Sequence, residues 1–341
     1  MADVSVAKSR RLPVMGDVAR LAGVSQMTVS RVLNDPGSVR PDTRERVLLA
    51  IKQLGYRRNS AARSLVTRRS QTLGVVCFDT TFHGPASMFN GIVHAAEEAG
   101  YAVSVASLRR PTADAATQAV QRLVHQSVEG LVLIAPQATE AMAFVRALPA
   151  DTPVVAVENA LPNVTSVSVD QELGARMATE HLLSLGHETV YHVRGPVDWS
   201  EANGRVDGWV AALEEQGRMV PRELVGDWSA RSGYVAGQKL VRDPRTTAVF
   251  AANDSMALGV VRALLDAGAR VPQDVSVVGF DDIPEAAYVT PPLTTVSQPF
   301  RDVGRRSIEI LLDEIEGTAA GVTSVIAPEL VVRDSTSARR S

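Results

Sequence analysis

The sequence predicts two kinds of structure in one chain: an all-α headpiece, followed by an α/β domain with two lobes, each built on a doubly wound parallel sheet. Apolar residues recur at helical spacing within the first 55 residues. From Leu73 onward the pattern changes to short β-rich apolar runs that alternate with Ala-rich helical segments. These units are many and regularly spaced, which favours two sheets over one.

The headpiece contains three predicted helices, at residues 17–22, 26–33 and 43–54. Gly23 ends the first helix, Ser25 is the expected N-cap of the second, and Gly55 ends the third. Pro41 stands where a first helical turn tolerates proline. Two helices joined by a tight glycine-containing turn form a helix-turn-helix unit.

The α/β part begins after an Arg-rich, polar stretch at residues 56–69, which is interpreted as a linker. Strands are predicted at residues 73–78, 101–106, 130–134, 153–157, 166–169, 189–193, 247–251 and 275–280. Helices are predicted between them, at residues 87–99, 113–127, 171–185, 204–216, 231–241 and 255–267. Alternation of this kind places helices on both faces of each sheet.

The charge is distributed unevenly along the chain. Residues 1–69 carry 14 Lys or Arg against 5 Asp or Glu, whereas the other 272 residues carry 21 against 33. A small basic segment on a larger acidic body is typical of a segment that docks on phosphates. A solvated, charge-rich surface would give the same counts, so charge alone leaves both interpretations open.

Several classes of protein are disfavoured by the composition. The sequence contains no run of about 18 apolar residues, so no membrane helix is expected. The N-terminus lacks the apolar core of a secretory signal. The single cysteine, Cys77, cannot form an intrachain disulfide; it lies in an apolar run and is expected to be a buried, inert thiol. A cytoplasmic protein is therefore expected, which would be nucleoid-associated if its basic segment binds DNA.

Catalysis is not expected either. The six histidines show no metal-ligand spacing with Cys or acidic residues, and no Gly-rich loop of the Lys-Ser/Thr type is present. Asp281 and Asp282 are adjacent carboxylates, but neighbours in sequence usually point apart. The chain is predicted not to be an enzyme and to need neither a cofactor nor a metal.

The second helix of the headpiece carries the residue types that read bases. In a helix-turn-helix its N-terminal residues face base edges in the major groove, and here these are Gln26, Met27 and, one turn on, Arg31. Gln pairs with adenine, Arg pairs with guanine, and Met offers apolar contact to a thymine methyl. Ser25 and its neighbouring hydroxyl residues could bond phosphate oxygens.

The headpiece resembles the lactose/galactose repressor (LacI/GalR) family of transcriptional regulators. The resemblance is carried by DVARLAGVS at 17–25, TVSRVLN at 28–34, TRERV at 43–47, LGY at 54–56 and NSAARSL at 59–65. It implies DNA-binding roles for Ser25, Gln26, Met27, Thr28, Ser30, Arg31, Asn34, Asn59, Ala62, Arg63 and Leu65.

In that family, residues corresponding to 59–65 form a hinge helix. The resemblance implies that Leu65 wedges into the minor groove at the operator centre, with Ala62 and Arg63 beside it. Without the family, Leu65 is equally consistent with packing on the next domain. The sequence departs from the family where Val14 and Arg40 replace usual helix caps, which weakens the arguments for these helix ends.

Polar residues that follow predicted strands mark a second site, because ligands of open α/β sheets bind beyond the carboxyl ends of strands. These residues are Glu158, Asp170, Asn253, Asp254, Asp281 and Asp282, with Arg205 at a predicted helix start and Trp228 in GDWS. Carboxylate, amide, guanidinium and indole groups suit a neutral polyol. Other interpretations are open: Asp254 as a helix N-cap, Trp228 as a core residue and Asp282 as a turn residue.

The same family resemblance extends through this domain, and it implies a periplasmic-binding-protein-like effector domain. It is carried by ANDSMALG at 252–259, VVGFDD at 277–282 and PPLTTVSQ at 291–298. Together, the polar residues and the resemblance predict effector-binding roles for Phe82, Gly84, Pro85, Met88, Glu158, Asp170, Glu201, Arg205, Trp228, Asn253, Asp281, Gln298 and Phe300. Glu158, Glu201 and Ile134 depart from the residues of the lactose-repressor branch, which leaves the identity of the sugar open.

The predicted domains are a helix-turn-helix unit at 12–57, a hinge at 58–69 and an effector-binding and dimerisation domain at 70–341. One lobe is expected at 70–169 and 299–327, and the other at 170–298 and 328–338. The resemblance implies a homodimer that binds double-stranded operator DNA and is released by a sugar inducer. A corepressor and a purine or nucleoside effector remain alternatives; a periplasmic sugar carrier would lack residues 14–65.

Overall fold

A computed structural model describes residues 13–56, 69–78, 81–108, 113–134, 138–149, 151–158, 161, 164–318 and 321–339. Its contacts divide the chain into two compact units that meet between Ser70 and Gln71. Each unit has its own hydrophobic core.

The first unit contains three helices: α1 (Met15–Ala22), α2 (Gln26–Asn34) and α3 (Pro41–Leu54). Helix α1 begins two residues earlier than predicted, because the Asp17 carboxylate accepts a 3.0 Å hydrogen bond from the Val14 backbone N–H. Gly23 and Gly55 have positive φ and end their helices as predicted. Ser25 is confirmed as the N-cap of α2, since its hydroxyl accepts a bond from the Thr28 N–H.

A small core joins these helices. Val18, Val29 and Val47, one from each helix, are fully buried. Leu48 shares the apolar pattern of α3 but points outward and is 51% exposed. Helix α2 buries its own Val29 and Val32 in this core, so its polar side chains remain in solvent.

The second unit is built on two six-stranded sheets. The first sheet is entirely parallel, in the order β11-β5-β4-β3-β1-β2. Its strands are β1 (Thr72–Phe78), β2 (Ala102–Leu108), β3 (Leu131–Ile134), β4 (Val154–Val157), β5 (Thr165–Val169) and β11 (Thr323–Ile326). Its helices are α4 (His83–Glu98), α5 (Ala113–His125), α6 (Ala138–Ala147) and α11 (Phe300–Glu316).

The second sheet has the order β12-β10-β9-β8-β6-β7 and is parallel except for the edge pair β10 and β12. Its strands are β6 (Tyr191–Arg194), β7 (Leu224–Val225), β8 (Ala248–Ala251), β9 (Ser276–Asp281), β10 (Thr294–Ser297) and β12 (Glu329–Val331). Its helices are α7 (Gln171–Ser184), α8 (Ser200–Glu215), α9 (Ala230–Leu240) and α10 (Asp254–Asp266).

The chain passes between the two sheets three times within the described residues. The crossings lie after β5, after β10 and between β11 and β12. Residues at the first two crossings stand beside the carboxyl ends of strands from both sheets, where a cleft between lobes is expected.

Helix α11 reaches back onto the first sheet and packs against α4 through glycines. A Cβ at Gly304 would overlap the backbone of Gly91 and Ile92, and a Cβ at Gly91 would lie 2.9 Å from the carbonyl oxygen of Phe300. The close approach of these two helices fixes Phe300, the first residue of α11, above α4.

The predicted fold class is confirmed, with two doubly wound sheets after a helical headpiece. Strands β7, β10, β11 and β12 and helices α6 and α11 are not among the predicted segments. Arg205 was expected at a helix start but lies in the second turn of α8, because that helix begins at Ser200. Cys77 is buried, as predicted. No helix of the described part combines the length and apolarity that crossing a bilayer requires.

Candidate functional site

Helix α2 presents the predicted base-reading side chains to solvent. Gln26, Met27 and Arg31 are exposed, and Met27 is 67% exposed despite being apolar. The Gln26 amide lies against α1 at Gly16, where an added Cβ would come within 3.0 Å of its Nε2 atom. An exposed row of an amide, a thioether and a guanidinium on one helix suits contact with base edges.

The smaller polar residues of this helix bond to one another. The Ser25 and Thr28 hydroxyls lie 2.9 Å apart, and the Asn34 amide donates to the Ser30 hydroxyl at 3.1 Å. Hydroxyl oxygens retain capacity for a further bond. The hinge residues predicted to bind DNA, Asn59, Ala62, Arg63 and Leu65, lie outside the described residues.

A partly open cavity lies between the carboxyl ends of the two sheets of the second unit. Its volume is about 50 Å³. The residues that line it are Phe82, His83, Gly84, Pro85, Met88, Glu158, Gln171, Trp199, Glu201, Arg205, Trp228, Asn253, Asp281, Gln298 and Phe300. Twelve of the thirteen predicted effector residues are in this set.

Asp170 is the exception, and its predicted role is corrected. It does not line the cavity, because its carboxylate accepts a 2.9 Å hydrogen bond from the Leu173 N–H and caps α7. The next residue, Gln171, lines the cavity instead. An N-cap and the residue after it project in different directions, so a shift of one residue exchanges a structural role for a ligand-facing one.

Three lining residues were missed by the sequence reasoning: His83, Gln171 and Trp199. Each adjoins a feature that had been singled out. His83 stands between Phe82 and Gly84, and Trp199 is the N-cap residue of the helix that carries Glu201. Proximity to these residues was the only available signal.

Arg205 is the central cation of the cavity. Only 5% exposed, it donates from Nε to Gln171 Oε1 at 2.8 Å and from a terminal nitrogen to the Ala252 carbonyl oxygen. Its guanidinium carbon stacks 3.9 Å from the centroid of the Phe280 ring. A terminal nitrogen lies 3.8 Å from an Asp281 carboxylate oxygen. Aromatic stacking and fixed donors hold the guanidinium in one orientation.

Two glutamines extend this network across the crossings. Gln171 Nε2 donates to Glu158 at 3.2 Å and to Gln298 Oε1 at 2.9 Å. Gln298 Nε2 then donates to Asp281 at 2.7 Å. Glu158 comes from the first sheet and Asp281 from the second, so a continuous row of side-chain hydrogen bonds joins the two lobes.

Burial raises the pKa of all three carboxyl groups that line the cavity. Burial raises the pKa of Glu158 to about 7 and that of Glu201 to about 8. The negative charge of Glu158 adds to the rise at Glu201. Burial also raises the pKa of Asp281, against the opposing charge of Arg205.

The N-cap role considered for Asp254 belongs to Asn253, which also lines the cavity as predicted. Asn253 caps α10, since its Oδ1 accepts a 2.9 Å bond from the Met256 N–H, and its Nδ2 donates to the Trp228 carbonyl. Asp254 is fully buried behind the cavity, where it accepts bonds from the Thr295 hydroxyl and the Ile283 N–H. Burial raises the pKa of Asp254 to about 8.

Two polar atoms of cavity-lining residues have no hydrogen-bond partner among the described residues: Glu201 Oε2 and Trp228 Nε1. A buried polar atom without a partner costs about 1–3 kcal/mol, so native proteins rarely leave one except where a ligand or water satisfies it. Glu201 Oε2 is an acceptor when the carboxyl group is ionised, and Trp228 Nε1 is a donor. A hydroxyl group, which both donates and accepts, can bond to either atom.

Residues with strained backbone conformations are also found in the cavity lining. Of the six described non-glycine residues with positive φ, Glu158, Trp228 and Asp281 line the cavity. Such conformations cost of order 1–3 kcal/mol each and cluster at ligand sites. Three residues with positive φ thus line one small cavity.

Aromatic rings form one wall of the cavity. Phe82 and Trp199 meet edge to face at 5.5 Å between centroids, and Trp199 and Trp228 do so at 5.4 Å. Phe300 lies 5.8 Å from His83 on the neighbouring side. Flat apolar surfaces of this kind pack on sugar rings, purines and cationic groups.

Comparison with known proteins gives the family. Residues 14–59 match the family model of bacterial regulatory proteins, lacI family, and residues 179–336 match that of the periplasmic binding protein-like domain. The chain is 35% identical over 323 residues to the lactose operon repressor of Escherichia coli (strain K12), covering 94% of this chain and 89% of that protein. The chain belongs to the lacI family of bacterial regulatory proteins.

Solved structures agree with this LacI-family assignment. The Lac repressor dimer bound to operator and the anti-inducer ONPF superposes with a TM-score of 0.86 at 34% identity, covering 96% of this chain and all of that one. A transcriptional regulator CelR–cellobiose complex superposes with a TM-score of 0.71 at 34% identity, covering 95% and 99%. This LacI-family chain is a transcriptional repressor with an effector-binding domain, and not an enzyme.

Within the described ranges, no three or more His, Cys, Asp or Glu side chains are grouped so that they could hold a metal ion. Four buried acids of this LacI-family protein, Glu158, Glu201, Asp254 and Asp281, act on the charge of Arg205.

Proposed function

We propose that this repressor binds operator DNA as a homodimer and that a sugar or glycoside in the cavity between its lobes lowers its affinity for the operator. The observation that carries the proposal is the pair of buried, unpartnered polar atoms, Glu201 Oε2 and Trp228 Nε1, in a cavity that also contains Arg205, Asn253 and Asp281.

The chemistry of the cavity suits a polyol. Vicinal hydroxyl groups each donate one hydrogen bond and accept others. Asp281 and Glu158 offer carboxyl oxygens, and Asn253 and Trp228 offer N–H donors, while Trp199 and Trp228 add apolar ring faces. A buried site with few, fixed polar groups and aromatic walls is the usual form of a small-molecule site.

The size of the cavity links ligand entry to lobe geometry. Small-molecule sites usually measure about 300–1,000 Å³, whereas this cavity measures about 50 Å³. A sugar therefore has to spread the lining residues, which come from both lobes and are tied together through Gln171 and Gln298. A ligand that prefers one separation of the lobes shifts the balance between lobe arrangements by its differential affinity.

Two relatives support the ligand class and the assembly. The Lac repressor structure contains a dimer, an operator and an anti-inducer, and the CelR structure contains cellobiose. On the DNA side, the exposed Gln26, Met27 and Arg31 of α2 and the excess of Lys and Arg in residues 1–69 support binding to duplex DNA. A symmetric dimer would read two half-sites of a near-palindromic operator.

The proposal is tested by isothermal titration of the full chain with a panel of neutral sugars, amino sugars and nucleosides, followed by DNA binding. Operator sequences are first selected from random duplexes at fixed salt. The expected result is that at least one sugar binds and weakens binding to the selected operator. Failure to prefer any duplex over random competitor, or the absence of binding by every sugar, would overturn it.

A nucleoside effector is the second candidate, favoured by the Phe82, Trp199 and Trp228 rings, which could stack on a purine. Binding of adenosine or guanosine, with no sugar bound, would replace the sugar proposal by this one.

A further inference from the structure

We propose that the effector is an amino sugar, whose ammonium group binds Glu201 and Glu158 next to the aromatic wall of Phe82, Trp199 and Trp228. This inference rests on the proposed function and narrows it from sugars in general to polyols that carry a positive charge.

The first argument is the charge balance of the cavity. Three carboxyl groups line it, those of Glu158, Glu201 and Asp281, against the single guanidinium of Arg205. Arg205 lies beside Asp281, and its nitrogens donate to Gln171 and to a backbone carbonyl. The two glutamates are thus left without a cation of their own in contact. An ammonium group stabilises the ionised form of these two carboxyl groups, which a neutral sugar does not do.

Glu201 supplies the second argument, which is independent of charge counting. It is 8% exposed and lies in the first turn of α8, and its Oε2 atom has no partner among the described residues. The other carboxylates are bonded: Glu158 accepts from Val169 and Gln171, and Asp281 accepts from Gln298. Glu201 is therefore the carboxylate most available to a ligand, and an ammonium group is the donor that gains most from a buried carboxylate.

The aromatic wall supplies the third argument. Phe82, Trp199 and Trp228 follow one another edge to face, at 5.5 and 5.4 Å between centroids. Several rings beside a carboxylate form the arrangement that binds ammonium groups through cation–π attraction, worth about 2 kcal/mol or more when desolvated. Arg205 already lies 5.5 Å from the Trp228 centroid, so this wall tolerates a cation.

The ionisation of the two glutamates is consistent with this ligand. The charges of Arg205 and Asp281 act on both glutamates, and the charge of Glu158 acts on Glu201. His83 acts on Asp281 from α4. Burial holds the pKa of both glutamates near or above neutral, so both are partly protonated at pH 7. An ammonium ligand lowers these pKa values on binding, and protons are released.

The first experiment is calorimetric titration of the full chain with matched ligands. Cellobiose, the glucosamine disaccharide with the same linkage and its N-acetylated form differ only at the 2-position of each ring. Galactose, galactosamine and N-acetylgalactosamine differ only at their single 2-position. At pH 7 the amino form is expected to bind at least about tenfold more tightly than its hydroxyl and acetyl counterparts in one series. Titrations in buffers of different ionisation enthalpy are expected to show net proton release for the amino form alone.

Equal or tighter binding of the neutral forms, or no binding of any amino sugar, overturns the inference. In the same titrations the proposed function fails if no sugar of either kind binds, so the two failures are distinguishable.

The second experiment uses Glu201→Gln, which removes the charge and keeps the shape. Glu214→Gln is the matched control, because Glu214 is an exposed residue of the same helix. Glu201→Gln is expected to reduce affinity for the amino sugar at least about tenfold more than affinity for its neutral counterpart, and to lose the proton release. An equal loss for both ligands, or none for the amino sugar, would show that the carboxylate does not select a cation.

Discussion

Gln171 and Gln298 join their side-chain amides at the two places where the chain first crosses between its sheets, with Nε2 of Gln171 2.9 Å from Oε1 of Gln298. Each glutamine also bonds a carboxylate from a different lobe, Glu158 and Asp281 respectively. Two neutral amides thereby connect the acidic groups of both lobes and orient Arg205 through its Nε. The crossings are thus part of the cavity wall as well as connections between lobes.

Gln171→Leu is expected to weaken both stability and effector binding. Leucine cannot accept the bond from Arg205 Nε, and it leaves Glu158 and Gln298 each one donor short. The free energy of unfolding should fall by about 1–3 kcal/mol, as for other buried groups left unsatisfied. Urea unfolding measures it, with Gln238→Leu on the exposed face of α9 as the control.

A double-mutant cycle with Gln298→Leu should give a coupling energy of about 0.5–3 kcal/mol, as expected for residues in one hydrogen-bond network. Strict additivity of the two single variants would contradict the direct amide–amide link.

Arg205→Lys tests whether the cavity needs the shape of guanidinium or only its charge. The planar group stacks 3.9 Å from the Phe280 centroid and donates in fixed directions, which an ammonium group on a flexible stem cannot reproduce. Effector affinity should fall at least about tenfold, or about 1.4 kcal/mol. Calorimetric titration measures the effector affinity, and Arg262→Lys, at an exposed position of α10, is the control. Unchanged affinity would mean that charge alone suffices.

Gly304→Ala is expected to disturb the ligand site from outside it. The added methyl overlaps the backbone of Gly91 and Ile92, so α11 has to move away from α4. Overpacking of this kind costs about 1–3 kcal/mol, and Phe300, at the start of α11, moves with the helix. Thermal unfolding and effector titration should both be affected. Asp313→Ala, at an exposed position of α11, should change neither by a comparable amount.

Part of the cavity could be predicted because it is made by strand ends, and the apolar lining residues were implied by the family resemblance. Glu158, Asn253 and Asp281 each follow or end a predicted strand, and the carboxyl ends of parallel strands meet at one edge of a sheet. The errors at Asp170 and Asp254 are shifts of one residue at helix starts. Such shifts depend on which side chain reaches back to the helix N–H groups, and composition does not decide between neighbouring polar residues.

Strand β10 shows why other elements could not be predicted. Its sequence Thr-Thr-Val-Ser looks exposed, yet Thr294 and Thr295 are fully buried. Their hydroxyls bond the Arg333 carbonyl and the Asp254 carboxylate, both about forty positions away in the sequence. Polar strand residues can be buried when they form hydrogen bonds with partners that are distant in the sequence. The local pattern of apolar residues does not indicate these partners.

Stability is expected to fall as the pH rises from 6.5 to 8. The folded-state pKa values of Glu201 and Asp254, about 8, lie far above the values of an unfolded chain, so the folded protein holds protons that the unfolded chain has released. Each group should remove on the order of 1 kcal/mol per pH unit in this window. Buried His192, whose pKa is lowered to about 3, acts in the opposite sense below pH 6.5.

Urea unfolding at several pH values measures this dependence, and Glu201→Gln and Asp254→Asn should each flatten it. A free energy of unfolding that rises between pH 6.5 and 8 would show that these carboxyl groups are ionised at no cost in the folded protein.

Arg31→Ala should relax sequence preference, because it removes a base-reading group from the exposed face of α2. A lost bidentate contact costs about 1–3 kcal/mol at its own base pair and little elsewhere. Arg44→Ala is the matched control: it removes the same charge from an exposed position of α3. Fluorescence anisotropy at fixed salt, on the selected operator and on single-base variants, separates the two. For Arg31→Ala, the ratio of the affinity for the selected operator to the affinity for its single-base variants should fall. For Arg44→Ala, the affinity for every duplex should fall by the same factor. An unchanged ratio for Arg31→Ala would mean that Arg31 binds only phosphates, and Gln26 and Met27 would then have to carry the discrimination.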